Sequence, residues 1–71
     1  MTARDREVLD FIKGYAVREG MLPTMREIGA GVKLASINTV HLHIHNLEKE
    51  GLIEFRGKRY RVRGLRYEYD E

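Results

Sequence analysis

The sequence predicts an α+β fold, mainly α, in which three helices are followed by a two-stranded antiparallel hairpin. Three observations lead there. Apolar residues recur at helical spacing in three consecutive segments, each opened by a Thr or Ser that can cap it. Two of those segments are short and lie a few residues apart. Past Gly51 the pattern changes to short strand-like runs separated by Gly57 and Lys58. With 71 residues, the chain is expected to form a single domain spanning residues 1–71.

The first helix begins after Thr2, with Asp5 three residues on in the manner of a capping box. Val8, Phe11, Ile12 and Tyr15 form its apolar face, and Gly20 stops it, giving a helix over about residues 3–19. After Pro23, Thr24 and Glu27 repeat the box, and Met25, Ile28 and Val32 supply one apolar side. Gly29 and Gly31 each weaken this second helix by about 1 kcal/mol relative to alanine. Tertiary packing must therefore hold it, and the glycines permit close approach by a neighbouring helix. Lys33-Leu34-Ala35 makes a tight turn, Ser36 caps the third helix, and Gly51 follows its end near Glu50. Leu52–Phe55 reads as one strand and Tyr60–Tyr69 as its return, with Leu65, Tyr67 and Tyr69 on one face. This order of elements is that of a winged helix-turn-helix.

Composition narrows the function. With 42% hydrophobic residues, a small core is available. The absence of cysteine removes disulfides, thiolate metal sites and cysteine nucleophiles. No apolar run approaches the ~20 residues of a membrane span, and the charged start Arg4-Asp5-Arg6-Glu7 is unlike a signal peptide. A cytoplasmic protein without a membrane partner is expected. No paired-carboxylate cleft, glycine-rich phosphate loop or nucleophile–base set is evident, so no enzyme is expected. Charge is uneven. Residues 1–55 carry seven Lys/Arg and eight Asp/Glu, whereas all six basic residues of 56–71 fall between Arg56 and Arg66, a stretch without a carboxylate. Such a block points to an anionic partner.

The third helix is the most informative. Val40, His43, Ile44 and Leu47 form its inward face. Asn38, His41, Leu42 and His45 have the same spacing offset by two residues and face outward. An ordinary surface helix carries Glu, Lys and Arg there; here charges wait until Glu48, Lys49 and Glu50. This stripe suits the major groove. Asparagine pairs bidentately with adenine, imidazole meets guanine acceptors or phosphate, and leucine packs on a thymine methyl. Ser36 and Thr39 at the helix start suit a phosphate. His41 and His45, one turn apart, can share a metal, yet no HExxH and no third ligand accompany them. No metal or cofactor is therefore expected, and His43 is read as a satisfied core or boundary histidine. The candidate DNA-binding set adds Thr24 from the second helix and Lys49 from the third. In the wing it comprises Arg56, Lys58, Arg59, Tyr60, Arg61 and Arg63.

These residues carry a family resemblance. Thr2–Ile12, Gly20–Gly29, Leu34-Ala35-Ser36-Ile37-Asn38-Thr39-Val40-His41 and Leu47-Glu48-Lys49-Glu50-Gly51-Leu52-Ile53 resemble the N-terminal DNA-binding domain of LexA-type SOS repressors, in their Gram-positive form. The resemblance covers about residues 2–67. It implies that the third helix enters the major groove, with base reading at Ser36, Asn38, Thr39, His41 and Leu42, while the wing over Arg56–Arg63 reaches the flanking backbone or minor groove. It stops where that family's linker would start. The self-cleaving peptidase domain, its Ser-Lys dyad and its dimer interface are accordingly not expected here. Leu42 and His45 change the outer face, and the wing is longer and more basic than the family's usual one, implying heavier reliance on phosphate.

The expected function is a sequence-specific transcriptional regulator of double-stranded DNA, in the simplest form a repressor that occludes a promoter. One such domain covers a half-site, so a homodimer or cooperative pair on a palindromic operator is expected. The tail Tyr67–Glu71 is either that contact or the end of the last strand packed on the first helix. The alternative is a protein-interaction module that binds a repressor or RNA polymerase through the apolar stripe at Leu42, with DNA secondary. RNA binding lacks an aromatic platform beyond Tyr60.

Overall fold

The computed structural model describes residues 1–57 and 59–65. It contains helices α1 (Ala3–Glu19), α2 (Met25–Gly31) and α3 (Ile37–Lys49), followed by strands β1 (Ile53–Arg56) and β2 (Arg59–Val62). The expected mainly helical α+β winged fold is the one observed.

Local chemistry starts each helix where the sequence indicates. The Thr2 hydroxyl accepts from the Asp5 amide at 3.1 Å, while the Thr2 amide donates to Asp5 Oδ2 at 3.1 Å. Thr24 and Glu27 make the same reciprocal pair at 3.1 and 2.7 Å, satisfying two otherwise orphaned amides at the start of α2. The Ser36 hydroxyl accepts from the Asn38 amide at 3.2 Å. Gly20 ends α1 in the left-handed conformation at φ 75°. The end of α2 is different. Lys33 takes φ 59°, and the Leu34 amide bonds back to the Gly29 carbonyl at 2.8 Å. This closes α2 in the manner of a Schellman turn with a lysine at the position glycine usually fills, at a cost of roughly 1–2 kcal/mol.

Glycine is kept for packing instead. A Cβ on Gly31 would stand 2.1 Å from Phe11 Cε1, and one on Gly29 would stand 3.2 Å from the Leu34 carbonyl and 3.3 Å from Val40 Cγ2. Phe11 thus lies against the bare backbone of α2, which is the close approach the two glycines anticipate. Val8, Leu9, Ile12 and Ala16 of α1, Ile28 of α2, and Val40, Ile44 and Leu47 of α3 meet in one core. The buried stripe of α1 is broader than expected, with Leu9 and Ala16 inside and Phe11 and Tyr15 along its half-buried edge.

The hairpin closes this core from one side. Ile53 pairs with Val62, Glu54 with Arg61, Phe55 with Tyr60 and Arg56 with Arg59. Pleating turns Ile53, Tyr60 and Val62 inward and Glu54, Arg56, Arg59 and Arg61 outward. The return strand is shorter than the expected Tyr60–Tyr69. It ends at Val62, where Arg63 and Gly64 (φ 89°) turn and the Leu65 amide bonds to the Val62 carbonyl at 3.0 Å. Tyr67 and Tyr69, like the tail as a whole, lie outside the described residues.

Among the described residues one charged side chain is buried with the core. Asp5 is only 2% exposed. His43 Nδ1 of α3 donates to its Oδ1 at 2.6 Å, and Asn46 Nδ2 donates to the same oxygen at 3.3 Å. Burial pushes the carboxyl upward, but the bonds from His43, the Thr2 amide and Asn46 outweigh it and bring the pKa down to about 2. His43 is thus a satisfied boundary residue, and its partner is the carboxylate that completes the capping box of another helix. Arg4 adds a second tie, donating to the Val32 carbonyl at the end of α2 at 2.9 Å.

Two outcomes are expected. Gly31→Ala forces Phe11 from its seat and should cost ~1–3 kcal/mol in urea unfolding. Because Asp5 titrates below its ordinary 3.8 in the folded state, its contribution of ~2 kcal/mol is complete above about pH 5 and is lost as pH falls towards 2. Urea midpoints measured from pH 5 to pH 2 should therefore fall steeply for the wild type and more shallowly for Asp5→Asn. Equal slopes would remove Asp5 from this role.

Candidate nucleic-acid interface

With His43 drawn inward to Asp5, the opposite side of α3 is fixed outward. Asn38, His41, Leu42, His45 and Lys49 are all exposed there. The first turn of α3 carries no acidic residue, and its first carboxylate is Glu48. Ser36 is exposed and Thr39 half-exposed at its N-terminal end. A hydroxyl oxygen that accepts an amide still has its own proton to donate, so Ser36 and Thr24 can cap their helices and donate to a phosphate at once. Thr24 is half-exposed at the start of α2. Its partner Glu27 is held below the usual carboxylate range by the Thr24 amide first and by the Tyr15 hydroxyl, which donates at 2.9 Å. That same bond raises the Tyr15 phenol.

The wing stands beside this face. A surface groove of about 390 Å³ between α3 and β1 is lined by His41, Ile44, His45, Glu48 and Phe55. Phe55 and Ile44 make its apolar floor. His45 Nδ1 lies 3.0 Å from Glu48 Oε1 on its rim. Further out, Arg56, Arg59 and Arg61 line a second surface cleft of about 340 Å³ with Tyr60. Arg56 and Arg59 are directly opposite each other in the hairpin. Like charges so placed repel, and an anion laid across them removes that cost. Arg63 is also exposed, just past β2. Lys58 lies outside the described residues.

Tyr60 requires a correction. The sequence places it among the wing's DNA-facing residues, but its side chain is 2% exposed and faces the core. Its hydroxyl donates to the Pro23 carbonyl at 2.6 Å, and its ring lies 6.1 Å from that of Phe55. Tyr60 therefore anchors the wing's root to the loop between α1 and α2. Strand parity would have shown this, since arginines at 59, 61 and 63 leave 60 and 62 for the other face.

Among the described residues no group of three or more metal-capable side chains gathers, and no helix is long and apolar enough to cross a membrane.

Comparison with known proteins identifies the family. The sequence model of the LexA DNA binding domain matches residues 1–62. The LexA repressor of an Exiguobacterium species is 53% identical over 53 residues, which make up 75% of this chain and 26% of that protein. Those of Exiguobacterium sibiricum and Bacillus mycoides are 49% and 47% identical over the same length. The aligned part thus spans about a quarter of the length of these relatives. With the match covering all three helices and the hairpin, the chain belongs to the LexA DNA-binding domain family.

Proposed function

We propose that this domain is a sequence-specific double-stranded DNA-binding transcriptional repressor. In this reading α3 lies in the major groove and the wing arginines contact the flanking backbone or minor groove. The observation that carries it is the outer face of α3, polar and apolar but free of carboxylates over its first two turns, beside outward-facing Arg56, Arg59 and Arg61. Family membership and the relatives named LexA repressors support the same conclusion. Asn38, His41, Leu42 and Thr39 would meet base edges. Ser36, Thr24, Lys49 and the wing, including Lys58 and Arg63, would meet phosphate. One domain reads a half-site, so two copies would occupy a palindromic operator about one helical turn apart. Such a repressor would act in the cytoplasm.

The exposed Leu42 keeps a second reading in view, a contact with a protein such as another repressor or RNA polymerase. Variants of α3 separate the two. Loss of DNA binding with partner capture intact favours DNA, and the reverse favours the protein contact.

Fluorescence anisotropy on a duplex selected from a random pool, and on a scrambled duplex, tests the assignment of roles. Arg59→Ala should weaken both and lower the slope of log K against log salt by about one unit. Asn38→Ala should cost ~1–3 kcal/mol on the selected duplex only. If Asn38→Ala weakened both duplexes equally, the base-reading role would belong elsewhere.

A further inference from the structure

Leu42 is the most exposed large apolar side chain of α3, at 57%. A single exposed leucine is ordinary; its surroundings are what set this one apart. It lies one turn after Asn38, between His41 and His45, on a face whose first carboxylate is Glu48. Residues i and i+4 are separated by ~6 Å along a helix, and successive base pairs by ~3.4 Å. Side chains at 38 and 42 laid along a groove would therefore meet base pairs one or two steps apart.

We infer that Leu42 reads a thymine C5 methyl and that Asn38 and Leu42 together select A·T pairs at neighbouring steps of each half-site. This inference rests on α3 entering the major groove. The thymine methyl is the apolar group that the four base pairs present there. Cytosine in its place offers an amino donor that leucine cannot accept from, so covering it strips water from a polar group without replacement. Asparagine supplies the complementary half of the code, pairing with adenine N6 and N7. His41 and His45 flank Leu42 with groups that bind acceptors, so of these three side chains the leucine is the one suited to a methyl. Adjacent exposed arginines on the wing match the polyanion that would bring these bases into contact.

The test uses the whole chain and a duplex recovered from a random-sequence pool. Affinity is measured by anisotropy at one salt concentration for that duplex, for a copy with deoxyuridine in place of thymidine, and for a scrambled duplex. Uracil keeps every hydrogen-bonding group and removes only the methyl. The wild type should bind the uracil copy about fourfold more weakly per contacted methyl, the effect of one buried carbon's transfer from water. Leu42→Ala should bind the thymine and uracil copies equally. Because Leu42 is exposed, that variant should fold as the wild type does, which circular dichroism checks. Val17→Ala, on the solvent face of α1, should keep the wild-type preference. Selective binding with equal affinity for both copies would overturn the inference and leave the groove reading standing. So would a thymine preference that survives Leu42→Ala. Failure to distinguish the selected from the scrambled duplex would overturn the groove reading, and the inference with it.

Discussion

The buried carboxylate of Asp5 sets the geometry on which the outer face of α3 depends. Asp5 completes the capping box of α1 and at the same time receives His43 and Asn46 from α3. A helix places successive residues about 100° apart, so fixing His43 inward fixes Asn38, His41, Leu42 and His45 outward. The rotation of α3 about its own axis is therefore specified by a polar contact as well as by Val40, Ile44 and Leu47. Apolar packing tolerates small rotations. A short bond to a buried, fully satisfied carboxylate does not, because losing it would leave a charge in the core.

The other two parts of the domain are positioned by equally particular contacts. α2 is thin where it must be, since Gly29 and Gly31 let α3 and Phe11 approach its backbone. The wing is held at its root. Tyr60 bonds to Pro23, Ile53 and Val62 enter the core, and strand parity then turns the arginines outward. The wing arginines and the outer face of α3 are in this way tied to one core, so the distance between them is a property of the fold.

Much of this was legible in the sequence because it rests on local signals. Thr2/Asp5, Thr24/Glu27, Ser36 and Gly20 start and stop helices through bonds only a few residues long. The two faces of α3 follow from spacing alone. What the sequence concealed depends on tertiary contact. Asp5 reads as the partner of Thr2 in a capping box, and nothing near it announces a second partner 38 residues away. Lys33 adopts a left-handed conformation with no glycine to signal it, because the nearby glycine is spent on Phe11. The basic neighbours of Tyr60 point it toward DNA, whereas strand parity points it toward the core, and parity is the better guide. The return strand stops early because Arg63 and Gly64 turn, and an alternating pattern by itself carries no stop signal.

The contact between Phe11 and Gly31 has an evolutionary consequence. Twenty residues apart in sequence, the two positions share one volume, a ring on one helix and its absence on the other. Neither can gain bulk unless the other gives it up, so drift at these sites must proceed in compensating pairs. A lineage that replaced the glycine would carry a smaller residue at position 11, and the seam between α1 and α2 would bear that exchange as a correlated signature. Asn38, His41, Leu42 and His45 on the outer face of α3 are exposed, and among the described residues none shares its volume in this way, so that face is free to change one residue at a time.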